Sequence, residues 1–408
     1  METYNKLKEE MRDEIRTGID FSRDVSDEEI EEIIDGIIIK KSKQQYLSME
    51  ERLRLRTELF YSIRKLDILQ ELVDDNTVTE IMVNGCDNIF IERAGSLIKW
   101  DRHFDSTEKL RDVIQQIVAK SNRTVNESSP IVDARLENGS RVNVVLNPVA
   151  LNGPILTIRR FPDKPIQMED LIRFGSVTPE VVDFLKNLVI SGYNIFISGG
   201  TGSGKTTFLN ALSGFIPKDE RVITIEDSAE LQIRGVANLV RLETRNANVE
   251  GCEPITIRDL IRSSLRMRPD RIIVGEVRGA EAMELLSAMN TGHDGSISTG
   301  HANSAADMMA RLETMVLTGI DLPLSAIRRQ LASGIDIVIH LGRLRDKSRK
   351  VLEICEVDGV KDGEVLLRSL YSFEEEGTIS GHICGSLVKK GSLQNADKWL
   401  RAGLPVTD

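Results

Sequence analysis

Nine consecutive residues carry the clearest chemistry in the sequence: Gly199, Gly200, Thr201, Gly202, Ser203, Gly204, Lys205, Thr206 and Thr207. They satisfy the pattern G-x-x-x-x-G-K-S/T, with an apolar run at 194–198 leading in and a helical run carrying Phe208, Leu212 and Phe215 leading out. Glycines let a loop wrap until successive N–H groups converge on one anion, and the helix N-terminus adds a favourable dipole. On this pattern Lys205 reaches the β- and γ-phosphates of a nucleotide, and the Thr206 hydroxyl holds Mg2+. A plain glycine-rich turn is the alternative, and the full pattern between strand and helix speaks against it.

Hydrolysis needs more than a cradle. The apolar run Arg271–Val274 ends in Gly275-Glu276-Val277-Arg278, and a carboxylate at such a strand tip can orient water and accept its proton. A second run, 222–225, ends in Glu226-Asp227-Ser228-Ala229-Glu230. Its three carboxylates could hold Mg2+-bound waters, although such a run taken alone is more often a solvated loop. The segment Gly292-His293-Asp294-Gly295-Ser296-Ile297-Ser298-Thr299-Gly300-His301 contains two of the five histidines. It reads as a glycine-rich loop whose groups either sense a γ-phosphate or are structural, and both readings stand.

The elements that must position these groups fall into three stretches. Residues 1–65 read as a helical module. Ser26 with Glu29, and Ser48 with Glu51, have the form of capping boxes, and Ile30, Ile33, Ile34, Ile37 and Ile38 recur at helical spacing. Residues 66–162 read as a small α+β domain on an antiparallel sheet. Asn84-Gly85, Asn138-Gly139 and Asn152-Gly153 each separate two apolar runs, among them 149–151 and 155–158 across the last pair. A helix over 107–121 presents Leu110, Val113, Ile114 and Ile117 on one side. Pro162 and Pro165 mark a linker. Residues 168–408 alternate strand and helix, with buried strands expected at 194–198, 222–225, 271–274 and 335–341. That rhythm points to a parallel sheet covered on both faces, followed by one or two hairpins and a helix near 396–402.

The 408 residues suffice for two or three packed cores. Composition is that of a globular chain, 40 % hydrophobic and 29 % charged, and no stretch approaches the ~20 apolar residues that cross a bilayer. The first residues lack the apolar core of a secretory signal, so a cytoplasmic location is expected. A net charge of −11 argues against binding long nucleic acid by charge alone. Cys86, Cys252, Cys355 and Cys384 are scattered without a C-x-x-C pair, so reduced thiols are expected rather than a structural metal.

Taken together, the segments resemble the secretion ATPase superfamily of type II and type IV secretion and type IV pilus motors. Its four signatures occur in order: the Walker A loop, the acidic box Thr224-Ile225-Glu226-Asp227-Ser228-Ala229-Glu230, the Walker B strand with Gly275-Glu276, and the histidine box at 291–301. The likeness covers roughly 66–341. It is greatest to the CpaF-like branch that powers Tad/Flp pilus assembly. The segments carrying that likeness are Thr79-Glu80-Ile81-Met82-Val83-Asn84-Gly85, Asn152-Gly153-Pro154 with Ile158-Arg159-Arg160-Phe161, and Met289-Asn290-Thr291-Gly292-His293-Asp294-Gly295-Ser296. The four-cysteine metal module of the general type II and pilus-extension enzymes is missing.

The resemblance implies a RecA-like P-loop core preceded by a PAS-like α+β domain, and a homohexamer that binds ATP with Mg2+ between the two domains. It implies that Glu276 polarises water, that Glu226, Asp227 and Glu230 arrange Mg2+ and its waters, and that His301 belongs to the catalytic set. Arg141 and Arg159 would meet the γ-phosphate, with Arg160, Arg266 and Arg268 as further candidates. The implied partner is an inner-membrane platform protein, with no sequence-specific nucleic-acid binding. A conjugation or type IV secretion ATPase shares the same chemistry. An ATP-gated scaffold without turnover and a small-molecule P-loop kinase are the remaining readings.

Overall fold

A computed structural model of the chain describes all residues except 1, 20–22, 24, 94, 122, 162–163, 246–252, 380 and 405–408. Pro162 and Cys252 therefore lie outside the described residues. The chain divides into two compact units, Met1–Pro162 and Asp163–Ala247 with Cys252–Asp408.

The first unit opens with helices α1 (Glu2–Gly18), α2 (Asp27–Ser42) and α3 (Met49–Arg64). Met11, Ile15, Ile30, Ile34, Leu55 and Leu59 form their fully buried seam. Ser48 and Glu51 complete a capping box: Glu51 N–H donates to Ser48 Oγ at 3.2 Å and Ser48 N–H to Glu51 Oε2 at 2.8 Å. The box expected at Ser26 is only half made. Ser26 Oγ accepts from Glu29 N–H, but Arg23 takes the Glu29 carboxylate that would have returned the bond.

The unit continues through α4 (Leu69–Asp74), β1 (Val78–Asn84), β2 (Ile89–Arg93), β3 (Ser96–Lys99), α5 (Thr107–Lys120), β4 (Ile131–Arg135), β5 (Arg141–Val145) and β6 (Ile155–Arg159). Its six strands pair antiparallel in the order β3-β2-β1-β6-β5-β4. Leu110, Val113, Ile114 and Ile117 of α5 are buried in the same cluster as Ile81, Val83, Val142, Val144 and Ile158. The strand expected at 149–151 does not form. Pro148 has no N–H to offer a ladder, residues 147–149 and 151–152 turn, and Leu151 is 91 % exposed. β5 and β6 instead meet across the longer loop 146–154, with Val145 opposite Ile155.

The second unit runs α6 (Met168–Arg173), α7 (Pro179–Ile190), β7 (Ile195–Gly199), α8 (Lys205–Ser213), β8 (Arg221–Glu226), β9 (Asn238–Glu243), α9 (Ile257–Ser264), β10 (Arg271–Val274), α10 (Ala282–Asn290), β11 (Ile297–Gly300), α11 (Ala305–Gly319) and α12 (Leu324–Gly334). It closes with β12 (Ile337–Arg343), β13 (Arg349–Lys361), β14 (Glu364–Ile379), β15 (His382–Lys389) and α13 (Asp397–Arg401). The sheet order is β15-β14-β13-β12-β7-β11-β10-β8-β9. Strands from β12 to β9 are parallel, and β13–β15 extend the sheet antiparallel.

Period-two alternation along β7 explains why both faces are covered. Ile195 and Ile197 pack with Leu185, Phe208, Leu212 and Trp399, whereas Phe196 packs with Leu285, Met308, Leu312 and Ile327. One expectation changes materially. Ile297–Gly300 is not loop but the strand β11, fully buried between β7 and β10 at the centre of the sheet. Its glycine is a packing requirement: a Cβ on Gly300 would lie 2.9 Å from Met308 Cε and 3.0 Å from Phe196 Cε1.

Two glycine substitutions should therefore move stability in opposite directions. Gly300→Val overpacks the central strand and is expected to destabilise by about 1–3 kcal/mol. Gly36→Ala in α2, where an added Cβ meets nothing within 4 Å, should stabilise by about 0.5–1 kcal/mol. Urea unfolding of each variant measures both.

Candidate functional site

β7 delivers the chain into the phosphate loop, and α8 carries it away. Two glycines are dictated by geometry. Gly204, at the cap of α8, has φ +95°, in the left-handed region. At Gly199 a Cβ would lie 2.5 Å from the Leu341 carbonyl oxygen and 2.6 Å from Ser203 Oγ, so only glycine lets the loop pass that close to β12. Gly200, Thr201 and Gly202 are exposed at the loop crest, and Thr206 and Thr207 sit half-buried in the first turn of α8. Ser203 Oγ is buried without a hydrogen-bond partner.

Lys205 is 7 % exposed. Its ammonium donates to the carbonyls of Gly199 and Gly200, both at 3.0 Å, and lies 3.2 Å from His301 Nδ1. Burial pushes its pKa down, opposed by Glu276 and reinforced by Arg278. No carboxylate lies within ion-pair distance of it among the described residues. A cation held by neutral acceptors in a half-dry site is short of an anion, which a phosphate would supply.

Glu276 follows β10 and faces the same space. Its Oε2 accepts from the Arg278 guanidinium at 2.7 Å. Its Oε1 lies 2.9 Å from His301 Nε2 but off the line of a hydrogen bond, so this buried oxygen keeps its accepting capacity. Lys205, His301 and Glu276 thus stand in a row. The ammonium can only donate, so His301 Nδ1 accepts and Nε2 carries the hydrogen. Burial holds the imidazole pKa down, the Glu276 charge opposes this, and Lys205, Arg278 and Arg311 add to it.

The acidic box lies one strand away. Glu226, 3 % exposed at the end of β8, accepts on Oε1 from the N–H groups of Glu230 and Leu231, each at 2.9 Å. Its Oε2 is buried and unpartnered, and burial pushes the carboxyl up to about 7 against the two backbone bonds. Glu226 therefore clamps the loop that carries Glu230. Gly275 leaves room for it, since a Cβ there would be 3.0 Å from Glu226 Cγ. Asp227 is half-exposed, with Oδ2 3.8 Å from Arg278.

Two contacts were not foreseen from sequence. Arg278 joins Glu276 to Asp227, although it stands only two residues beyond Glu276. Arg349, from the basic run 343–350, donates from Nε to the Gly202 carbonyl at 2.9 Å.

In the first unit, Arg141 on β5 is directly opposite Arg159 on β6, and Arg135 on β4 is directly opposite Arg141. Three guanidinium groups thus share one sheet face, with Glu80 next in line on β1. Arg141 lies 3.8 Å from Asp133. Arg135 was missed because the alternation of its strand does not reveal what lies across the ladder. Arg160 is a correction: it donates to the Asp75 carbonyl and, at 2.7 Å, to Asn76 Oδ1, bracing the turn before β1. Arg266 and Arg268 stand apart from the phosphate loop of their own unit. They precede β10 and so lie at the edge of the parallel sheet opposite the phosphate loop of their own unit.

Glu226 makes stability pH-dependent. The folded protein retains this proton up to about 7, above the ordinary value of 4.5, so stability falls as pH rises through that window. Glu226→Gln keeps a carbonyl acceptor for the two N–H groups. It should flatten that slope and be the more stable protein near pH 8, by on the order of 3 kcal/mol at most. Thermal melts near pH 5 and pH 8 test this, and an unchanged slope would remove the assignment.

Comparison with known proteins places the chain. The profile of the Type II/IV secretion system protein family matches residues 63–382. The conjugal transfer protein TrbB of Rhizobium radiobacter is 32 % identical over 327 residues, covering 78 % of this chain and 97 % of TrbB. The type IV secretion system protein VirB11 of Brucella suis is 34 % identical over 306 residues, covering 68 % of this chain and 84 % of VirB11. In fold the chain is similar to the Legionella pneumophila ATPase DotB, with a TM-score of 0.51 at 23 % identity, covering 71 % of this chain and 80 % of DotB. A RecA-like core after a smaller N-terminal domain is the architecture expected from the signatures, and with these matches the chain belongs to the Type II/IV secretion system protein family.

Proposed function

We propose that the chain is a Mg2+-dependent ATPase, acting as a homohexameric motor at the cytoplasmic face of the inner membrane and docked there on a platform protein. The observation that carries the reading is the row of Lys205, His301 and Glu276 at the phosphate loop, a buried ammonium without a carboxylate beside a carboxylate oxygen without a donor. Among the described residues no helix is long and apolar enough to cross a membrane.

The donor set fits a magnesium–nucleotide complex. Thr206 offers a hydroxyl at the first turn of α8, and Asp227 and Glu230 offer carboxylates in the loop beside Glu276. Mg2+ held there would offset charge on the β- and γ-phosphate oxygens. Lys205 exchanges its carbonyl contacts for phosphate oxygens. Glu276 Oε1 accepts a proton from the attacking water, while Arg278 fixes the other oxygen and so the orientation of the carboxylate. His301, neutral and hydrogen-bearing at Nε2, reports on the γ-phosphate side. Arg141 and Arg159, as the family resemblance implies, would stabilise charge on the γ-phosphate.

Assembly of a Tad/Flp-type pilus is the task that the CpaF-like segments support. Transfer of protein or DNA–protein substrates is a second reading, favoured by the names of the relatives TrbB and VirB11. An ATP-gated scaffold would bind without turning over, and phosphate release in the steady state separates it from a motor.

Lys205→Ala should abolish hydrolysis. Glu276→Gln should keep ATP affinity and lose about 10²- to 10⁴-fold in kcat; turnover at the wild-type rate would take the base role from Glu276. Arg141→Ala and Arg159→Ala should each lower kcat about 10³-fold while ADP affinity stays unchanged. Loss of ADP binding in step with kcat would point instead to a folding defect.

A further inference from the structure

Two cavities open on the phosphate loop. One joins the loop crest, Gly200 and Thr201, to His301. The other, of about 340 Å3, is bounded by the later loop residues Ser203, Gly204 and Thr207, by the end of α6 and by the hairpin joining β12 to β13. Its size falls within the ~300–1,000 Å3 of small-molecule sites. Three bonds tie its walls to one another. Val351 N–H donates to the Ser176 carbonyl at 2.9 Å, the Lys350 ammonium to the Gly175 carbonyl at 2.8 Å, and Arg349 Nε to the Gly202 carbonyl at 2.9 Å.

The lining of this second cavity divides by chemistry. Leu171, Phe174, Phe208, Leu341 and Val351 make it apolar, while Lys347, Arg349 and Lys350 place cations along the hairpin. Among the described residues no carboxylate and no side-chain amide lines it. Phe174 caps α6, Gly175 in the left-handed region (φ +66°) turns the chain directly after it, and the residue stays 58 % exposed. Arg173 covers one face of its ring, 5.8 Å from the centroid. A flat ligand on the other face would remove from water apolar surface that the chain itself leaves wet. Ser203 is 3 % exposed, and its Oγ has no hydrogen-bond partner. Buried hydroxyls ordinarily have one, and at a cavity wall a ligand can supply it.

We propose that this cavity takes the purine base of the bound nucleotide, recognised by stacking on Phe174 and by fit rather than by hydrogen bonds to its edge. The proposal rests on the ATPase reading above. On that reading the γ-phosphate lies toward Lys205 and Glu276, so the nucleoside leaves the loop away from them, where Ser203 and Thr207 open into the cavity. The Ser203 hydroxyl then serves the junction of sugar and α-phosphate. No side-chain carboxylate or amide waits there for the 6-amino group of adenine, whereas every base has a flat face to stack.

The experiment titrates the full chain calorimetrically with ATP, GTP and inorganic triphosphate, each with Mg2+, and repeats the series with Phe174→Ala and Phe174→Trp. The wild type should bind ATP and GTP within about tenfold of one another, and inorganic triphosphate at least about tenfold more weakly. Phe174→Ala should weaken both nucleotides by about ten- to a hundredfold and leave triphosphate unchanged. Phe174→Trp should restore nucleotide affinity. Because the side chain is more than half exposed, its removal empties no core, and unchanged triphosphate binding doubles as the check on folding. A preference for ATP over GTP much beyond tenfold would overturn recognition by stacking. An equal loss of triphosphate in Phe174→Ala, or no loss of either nucleotide, would overturn the placement of the base. Triphosphate bound by the wild type as tightly as ATP would do the same and leave the phosphate loop in its role. A wild type that binds none of the three would sink the ATPase reading and this proposal with it.

Discussion

A buried ammonium group with no carboxylate at ion-pair distance among the described residues organises the second unit. Lys205 is held by two carbonyls and an imidazole, none of which cancels a full positive charge. Leaving such a charge in place costs free energy that the rest of the fold must cover. The same debt makes the site selective, because only a ligand bringing negative charge to that point relieves it. Glycine at 199 lets the loop pass close to Leu341 around that cation, and the charge of Lys205 adds to the burial that holds the His301 pKa down.

The parallel sheet makes this possible by gathering separate segments at one edge. β7, β8, β10 and β11 all end where their loops meet, so the phosphate loop, Glu226, Glu276 and His301 converge although they come from distant parts of the chain. Strand order sets the neighbours: β11 between β7 and β10 puts His301 between Lys205 and Glu276. A four-residue strand of isoleucine, serine, threonine and glycine is the narrow spacer that this requires. Bulkier residues at Gly300 would push α11 away from the sheet.

What was legible in the sequence was what is local. The phosphate loop, the capping box at Ser48, the amphipathic face of α5 and the strands 222–225 and 271–274 are all written in short windows where spacing or turn chemistry suffices. What was illegible is set by partners far along the chain. β11 read as loop because serine, threonine and glycine look like loop residues, whereas Phe196 and Met308 crowd any side chain at Gly300. The Arg349 grip on Gly202 spans 147 residues, and the meeting of Ser198 with His340 spans 142. The misread strand at 149–151 has the opposite cause. Its apolar composition was local, but the missing hydrogen-bond donor of Pro148 outweighed it. Arg160 was indistinguishable from Arg159 by position alone. The pleat sends them to opposite faces, one into a cationic row and the other into a brace.

The row Arg135–Arg141–Arg159 has a thermodynamic side. Like charges set across neighbouring strands work against the sheet by about 0.2–1 kcal/mol per pair. Asp133 and Glu80 relieve part of that at the margins. Negative charge brought to this face would ease the repulsion further, so anion occupancy and the cohesion of strands β4 to β6 would form one linked equilibrium.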